Sequence, residues 1–592
     1  MRANRVTIIV LGSCLAACAA GDRRFPLREP VRHDNDSASV RVKCHDEPTK
    51  TDPRHRSCAP VAYASPLYWD GVDNIVFRPL SEGLGVVTSG ESVDVNSLDE
   101  VPDSAWFVNR IGARSMSIAE LRQGGCTSEQ ILDPDSAPDG SWVIDKGKTE
   151  GSSPGFRVVV PGKGKFLFKL DTPTDNQAER TAAASTVSAA IFHAVGYFIS
   201  CERIVYVRPS VFKLLPGLVT KENFQPDKPF DQRALDAVIA SATKRNGLVR
   251  INASAWLPGH PIGPARYHGV RDDDPNDVIP HEDRRELRGM RVLAAWLARY
   301  DSREANGLDT WIADHGSDSS PGHVVHYQLD VSETFGSLAF AQGTNAANGL
   351  SWDPVDRRLN RSYFVDWGDL ARDFATLGLA VRPWEHAYVA PGHEMFGYYN
   401  ADHFDAEKWK PMYPNPAFSR MTERDGAWMA RILARFTPEM VRVLALMGDF
   451  TAPATTDYFQ SVVEKRLERV LERYLTRLSP IGDVRVEDGN RLCGVDLAER
   501  RGVLPAERFH YAARWSDGAP LTVARRPGGA ICIAMPHVAR DDGASDDARS
   551  RYVRVIVEDS VARGPLVAHL YDLGPRRGFR LVGLERPEKL RL

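Results

Sequence analysis

At 592 residues the chain is too long for a single hydrophobic core, and roughly two to four domains are expected. Its 43% hydrophobic and 26% charged residues are ordinary for a soluble globular protein, and a formal net charge of -3 gives no reason to expect a nucleic-acid partner. After the start the sequence lacks any run of about eighteen apolar residues, so an internal membrane-spanning helix is not expected.

The N-terminus reads as a targeting segment. Arg2 and Arg5 form a basic region, and Val6 to Leu15 is apolar but too short to span a bilayer. Leu15-Ala16-Ala17-Cys18 resembles a bacterial lipobox, and Leu11-Gly12-Ser13-Cys14 is a second candidate with a shorter apolar region. The resemblance implies a signal peptide over 1–17, lipidation at Cys18 and anchorage to a lipid bilayer through that residue. Ala19 in place of Asp favours the outer membrane in the lipoproteins it resembles. Export makes disulfides possible. Cys44, Cys58, Cys126, Cys201, Cys493 and Cys532 remain, and Cys44/Cys58 and Cys493/Cys532 are suggestive pairs. Six cysteines allow fifteen connectivities, so the pairing stays open.

Residues 18–62 are polar and rich in Arg, Asp and Pro, which predicts a tether, and 63–139 read as a small mixed region packed on the next domain. From 140 to 215 the pattern is β-rich. Trp142–Ile144, Phe156–Val160 and Phe166–Leu170 read as strands around a Gly-rich connection and a Gly162-Lys163-Gly164 turn. An Ala-rich helix is expected from Gln177 to Val195, capped by Thr174 or Asp175 and ended by Gly196. Strands are also expected at Ile204–Val207 and Phe212–Leu215. From 216 to 482 the pattern is mainly helical. Leu287, Met290, Leu293, Leu297 and Tyr300 recur at helical spacing over 283–299, and further helices are expected at 367–377, 425–436, 438–447 and 458–475. From 485 to 592 short alternating strands separated by Gly-containing turns predict a small β-sandwich. The fold class is therefore α+β, with a C-terminal β-sandwich-like domain.

The polar residues that stand out lie on the borders of these elements. Lys169 alternates with Phe168 and Leu170 on a strand, and Glu179 begins the next helix. Asp301 follows a long helix, Asn306 comes five residues later, and Asp330 ends the strand His323–Leu329. Phosphoryl transfer needs such groups: a cation for the phosphates, a carboxylate to steady it, oxygen ligands for Mg²⁺, and a carboxylate that takes a hydroxyl proton. Each also has a plainer structural role open to it, as a surface lysine, a first-turn carboxylate or a loop cap. The acidic run Asp272-Asp273-Asp274-Pro275-Asn276-Asp277 lacks the Gly and terminal Glu of an EF loop and reads as a solvated loop. His315, His323 and His326 match no zinc spacing.

The order strand Lys, helix Glu, D-x-x-x-x-N, strand-end Asp resembles the protein-kinase-like superfamily. Ser153-Pro154-Gly155-Phe156, Phe168-Lys169-Leu170-Asp171, Ala194-Val195-Gly196-Tyr197 and Leu329-Asp330 bring it nearer the atypical branch, the HipA-like and CotH-like kinases. That resemblance spans roughly 140–480 and implies a two-lobed core, a small β-rich lobe over 140–215 and a larger helical lobe over 216–482. It implies ATP and Mg²⁺ as cofactors, with Lys169 on phosphates, Glu179 paired with Lys169, Asp301 as catalytic base, and Asn306 and Asp330 as metal ligands. Arg299-Tyr300 before Asp301 and Val331-Ser332 after Asp330 depart from ordinary kinases and fit an atypical kinase or a pseudokinase. Two functions are expected from this pattern: an exported phosphotransferase acting on a hydroxyl, or a non-catalytic envelope lipoprotein using the fold as a scaffold or binding module.

Overall fold

A computed structural model describes residues 23–48, 52–64, 67–85, 90–148, 154–171, 178–220, 227–316, 320–336, 358, 361–381, 383–538 and 550–588. Cys18, Ser153, Thr174, Asp175 and Gln177 lie outside them. The chain is a mixed α+β protein.

A seven-stranded sheet is built first. Its main strands are β1 (Trp142–Gly147), β2 (Gly155–Val160), β3 (Gly164–Leu170), β4 (Glu202–Val207), β5 (Phe212–Leu214) and β6 (Leu248–Ala255). In space they run β4–β6–β3–β2–β1–β5, antiparallel except where β5 lies parallel to β1. The expected alternation holds: Phe166, Phe168 and Leu170 join Phe156, Val158, Ile251 and Ala253 in one apolar cluster. Phe230 and Leu235, the latter on α2 (Gln232–Ser241), belong to the same cluster. The opposite face carries Lys169, Arg250, Asn252 and Glu202, with Asn252 registered between Lys169 and Ile204.

Against β4 and β6 packs α1 (Arg180–Val195). The helix is buried on nearly every side, which its Ala-rich sequence permits, because small side chains let neighbours approach from all directions. It begins at Arg180, with Glu179 at the N-cap position. Gly196 ends it at φ 147°, where a Cβ would stand 2.3 Å from the Phe107 ring. The larger core also takes in α3 (Arg285–Leu297), α5 (Glu423–Leu433), α6 (Pro438–Met447) and α7 (Pro453–Leu475), while α4 (Trp367–Thr376) lies at the surface. Between α3 and α4 the chain forms a hairpin, β7 (Gly307–Ala313) and β8 (Gly322–Gln328). The first of these strands has no clear sequence signature, since Asp309 and Trp311 interrupt any simple alternation.

The C-terminal region holds two sheets, one of four strands and one of five. Ile481, Leu492, Ile531 and Ile533 from the first meet Trp515, Val555, Leu566, Ala568 and Leu584 from the second in one core, so the expected sandwich-like packing is present. Residues 23–48 and 52–64 correct the expectation of a free tether. Phe25 packs with Tyr571 and Val582, Asp36 is buried and accepts from the Ala105 N–H, and Val40 bridges to Gly322. A polar composition here supplies partners for buried donors instead of solvating a loose chain. Cys44–Cys58, Cys126–Cys201 and Cys493–Cys532 are disulfides. The acidic run is likewise no solvated loop: Asp274 and Asp277 are buried, and Asp277 holds the Arg271 N–H and His281. No described helix is long and apolar enough to cross a membrane.

Candidate functional site

The hairpin sets the site. Gly307 lies opposite Gln328, and the Leu329 N–H donates to the Asn306 carbonyl at 2.8 Å. Asn306 and Asp330 therefore leave adjacent ends of two paired strands. Both ends are bolted by Arg299, which comes just after α3 and is fully buried. Its guanidinium donates to Gln328 Oε1 at 2.7 Å, the Leu329 carbonyl at 3.0 Å and the Asn306 carbonyl at 3.3 Å. Because Arg299 is only two residues before Asp301, one planar fork ties the start of the loop to both of its later members.

Asp330 sits at φ 44°, a left-handed backbone that costs a non-glycine residue of order 1 kcal/mol and aims its carboxylate outward. Its Oδ1 accepts from Lys169 Nζ at 2.8 Å and from Ser332 Oγ at 2.7 Å. The Asp330 side chain is 46% exposed and that of Lys169 13%. Burial alone would push the Lys169 ammonium down, but Asp330 and then Glu202 outweigh it and raise the pKa above the usual lysine value. Burial likewise opposes the Asp330 charge, yet Lys169 and Ser332, with Lys148, hold its carboxyl well below the ordinary range. Lys148 feels the same field with the opposite result. Burial first and the Lys169 charge second push it down to about 8.

Asp301 lies behind this pair. Asn306 Nδ2 donates to its carbonyl at 2.8 Å, and Arg303 Nε stands 3.0 Å from Oδ1. Burial raises the Asp301 pKa, Arg303 and Asn306 counter it, and the charges of Asp330 and Glu333 add to the rise. A raised carboxyl pKa makes a better proton acceptor near neutral pH. Arg303 also pairs with Asp70, and Glu333 is held by the Tyr300 hydroxyl and lies 3.7 Å from Arg180.

Lys169, Asp301, Asn306 and Asp330 are thus neighbours. Glu179 is elsewhere. It accepts from Arg245 at 3.1 Å, from the Thr451 N–H at 2.9 Å and from the Thr451 hydroxyl, fastening the start of α1 to the turn after α6. The carboxylate behind Lys169 is instead Glu202, whose oxygens are fixed by Ser200 just before the strand and by Asn252 and Ser254 on the same sheet face. Gly155, registered with Lys169, permits the close approach of β2 and β3, since a Cβ there would stand 2.3 Å from the Phe168 carbonyl.

No protein-family model, no curated protein and no solved structure matches the chain.

Lys148, Glu202 and Glu333 join the site without standing out in the sequence, and Arg299 stands out there only as a departure from the ordinary kinase loop. Lys148 and Glu333 carry a local signal, since the first opens the Gly-rich connection and the second lies three residues beyond Asp330. Glu202 carries none, because its place beside Lys169 depends on β6 lying between β3 and β4. In chemistry the arrangement offers two lysines for phosphate oxygens and a partly exposed carboxylate. With Nδ2 committed to a carbonyl, Asn306 keeps its amide oxygen as an acceptor. Oxygen donors of this kind suit Mg²⁺.

Proposed function

We propose that the chain is an exported, lipid-anchored phosphotransferase with a two-lobed, kinase-like core of the atypical, HipA-like or CotH-like kind. The observation that carries this reading is the meeting of Lys169, Asp301, Asn306 and Asp330, with Lys169 and Asp330 bonded across 161 residues of sequence. Bound ATP with Mg²⁺ would supply the transferable phosphoryl group and the cation that neutralises its charge. Lys169 and Lys148 would bind phosphate oxygens. The Asp330 carboxylate and the Asn306 amide oxygen would hold the metal. Asp301 would orient an acceptor hydroxyl and take its proton on a carboxylate oxygen, a role its raised pKa suits. Arg299 would keep the metal ligands in register without touching either substrate.

A second reading rests on a specific observation. Lys169 is neutralised by Asp330 itself and Glu179 is committed to Arg245 and Thr451, which favours a non-catalytic scaffold whose ion pair is structural. Thermal melting of the purified body with millimolar ATP separates the two. The phosphotransferase reading expects a saturable rise in Tm that needs both ATP and Mg²⁺ and is abolished by Asp330→Ala. No rise at any nucleotide concentration leaves the scaffold. Anchorage is tested by Cys18→Ala, expected to release the protein from membranes; unchanged membrane association defeats the lipid-anchor assignment.

A further inference from the structure

A cavity of about 400 Å³ opens beside α4; its lining does not include Lys169, and it carries Arg361, Arg372, Lys408 and Lys410 against Asp369, Asp405 and Glu407. Arg361 forms its inner edge and is only 6% exposed. Its guanidinium donates to the His403 carbonyl at 3.0 Å and to Asn400 Oδ1 at 2.8 Å, while its buried Nε has no hydrogen-bond partner. Among the described residues no carboxylate lies within ion-pair distance of Arg361. The Asp402 carboxylate acts on it only from beyond ion-pair distance, and a buried cation so weakly compensated is costly, by several kcal/mol in order of magnitude, unless an anion joins it. Burial, only partly offset by the Asp402 charge, pushes the Arg361 pKa down to about 10.

The other charges around the cavity point the same way. Arg372 is exposed on α4 and, among the described residues, in no ion pair; Lys408 and Lys410 also line the cavity, the first paired with Asp405 at 3.3 Å through an exposed side chain and the second with Asp366 at 2.5 Å. The acids of the rim are already engaged. Glu407 is drawn off by Arg473 at 2.7 Å and Arg477 at 3.2 Å. Asp405 accepts the N–H groups of Glu407 and Lys408 and lies 3.3 Å from the Lys408 ammonium. Asp369 faces Arg358 at 3.8 Å. The wall is also continuous with the loop that carries Asp301. Lys410 N–H donates to the Arg361 carbonyl at 3.1 Å, and two residues on the Met412 N–H donates to the Tyr300 carbonyl at 2.7 Å.

We propose that this cavity binds the phosphoryl dianion of a small phosphorylated molecule, with Arg361 as its buried anchor and Arg372 and Lys408 as the closing cations. The volume admits a phosphate group together with a skeleton of sugar size, at the small end of the usual range for ligand sites. That the bound molecule is the acceptor, its hydroxyl reaching Asp301, rests on the phosphoryl-transfer reading; the binding itself does not.

The test titrates the purified body with sodium phosphate and with glycerol 3-phosphate at fixed ionic strength, by calorimetry and by Tm, and adds phosphatidylglycerol vesicles in a sedimentation arm. Saturable binding is expected, with glycerol 3-phosphate at least as tight as phosphate. The exposed double variant Arg372→Ala/Lys408→Ala should weaken it about tenfold or more, the effect of losing one or two charge-assisted bonds. Lys169→Ala should leave it unchanged, and the double variant should keep any Mg²⁺–ATP shift, so failure here and failure of the phosphotransferase reading are distinguishable. Tighter binding to the vesicles than to glycerol 3-phosphate, lost in the double variant, keeps the site and names a lipid headgroup as its source. The proposal is overturned by no saturable binding up to about 20 mM, where a Kd of order 1 mM would be saturated. It is equally overturned by undiminished binding in the double variant, or by loss of binding in Lys169→Ala.

Discussion

Arg299 offers the sharpest test of how the site is held. Replacing it with Met keeps much of the volume and removes a guanidinium that serves Gln328 Oε1 and the carbonyls of Asn306 and Leu329. Each bond from the charged guanidinium contributes about 1.5–3 kcal/mol; the Asn306 carbonyl keeps the Leu329 N–H and Gln328 Oε1 keeps the Tyr267 hydroxyl, and water admitted to the gap recovers part of the rest, so a net loss of about 4 kcal/mol is expected. With an unfolding entropy of about 2.1 cal/mol/K per residue, that loss over a cooperative unit of roughly 340 residues lowers Tm by about 6 °C. Arg299→Lys reaches fewer of the three acceptors and should fall between. Differential scanning calorimetry reads the shift, and repeating it with Mg²⁺ and ATP reads the site. Because Arg299 fixes Asn306 and Asp330 without touching a ligand, nucleotide affinity should fall in Arg299→Lys even where the fold survives. A Tm within about a degree of wild type for Arg299→Met would overturn this account of the clamp, as would loss of stability with unchanged Mg²⁺–ATP affinity in Arg299→Lys.

Two further outcomes are expected. Glu179→Gln should lower Tm by a few degrees, the effect of about 1–3 kcal/mol lost from its bonds to Arg245 and Thr451, and leave the proposed Mg²⁺–ATP binding unchanged; lost binding at unchanged Tm would return Glu179 to the proposed nucleotide site. Lys148 gives a pH signature. Its folded pKa of about 8 lies below the unfolded value near 10.4, so its charge destabilises the fold at pH 7 and that cost is relieved as pH rises from about 8 toward 10. Phosphate beside it restores the proton, so Mg²⁺–ATP binding near pH 8.5 should take up protons in calorimetry across buffers of different ionisation enthalpy, and Lys148→Met should abolish the uptake.

Much of this is legible in the chain because it rests on local pattern. The period-two alternation around Phe166, Phe168 and Leu170 sets which face Lys169 takes, and the helical spacing from Leu287 to Leu297 brings the chain to Asp301. Partnerships are not legible. The order Lys169, Glu179 on a following helix suggests an ion pair, but α1 begins at Arg180 and its first turn is pulled toward Arg245 and Thr451. Glu202 replaces it only because β6 inserts between β3 and β4. Residues 23–62 mislead for a related reason: composition reports what a segment could solvate, and only tertiary context shows that Asp36 and Phe25 are buried.

The direct Lys169–Asp330 bond then bears on how a nucleotide would enter. Without phosphate near it, a largely buried ammonium takes the closest carboxylate, and Asp330 is the one that reaches it. The Asp330 side chain is nearly half exposed although Lys169 is largely buried, so the pair is partly screened and opens more readily than a fully buried one. Opening is also balanced in charge: Lys169 would exchange a carboxylate for phosphate oxygens while Asp330 exchanges an ammonium for a divalent cation. A nucleotide without the cation would leave Asp330 unpaired beside phosphates, with Glu333 adding to the repulsion. On the phosphotransferase reading, the same ion pair that could close a scaffold would therefore make nucleotide entry conditional on metal, and the dependence of any ATP-induced shift on Mg²⁺ is the property that distinguishes a site from a strut.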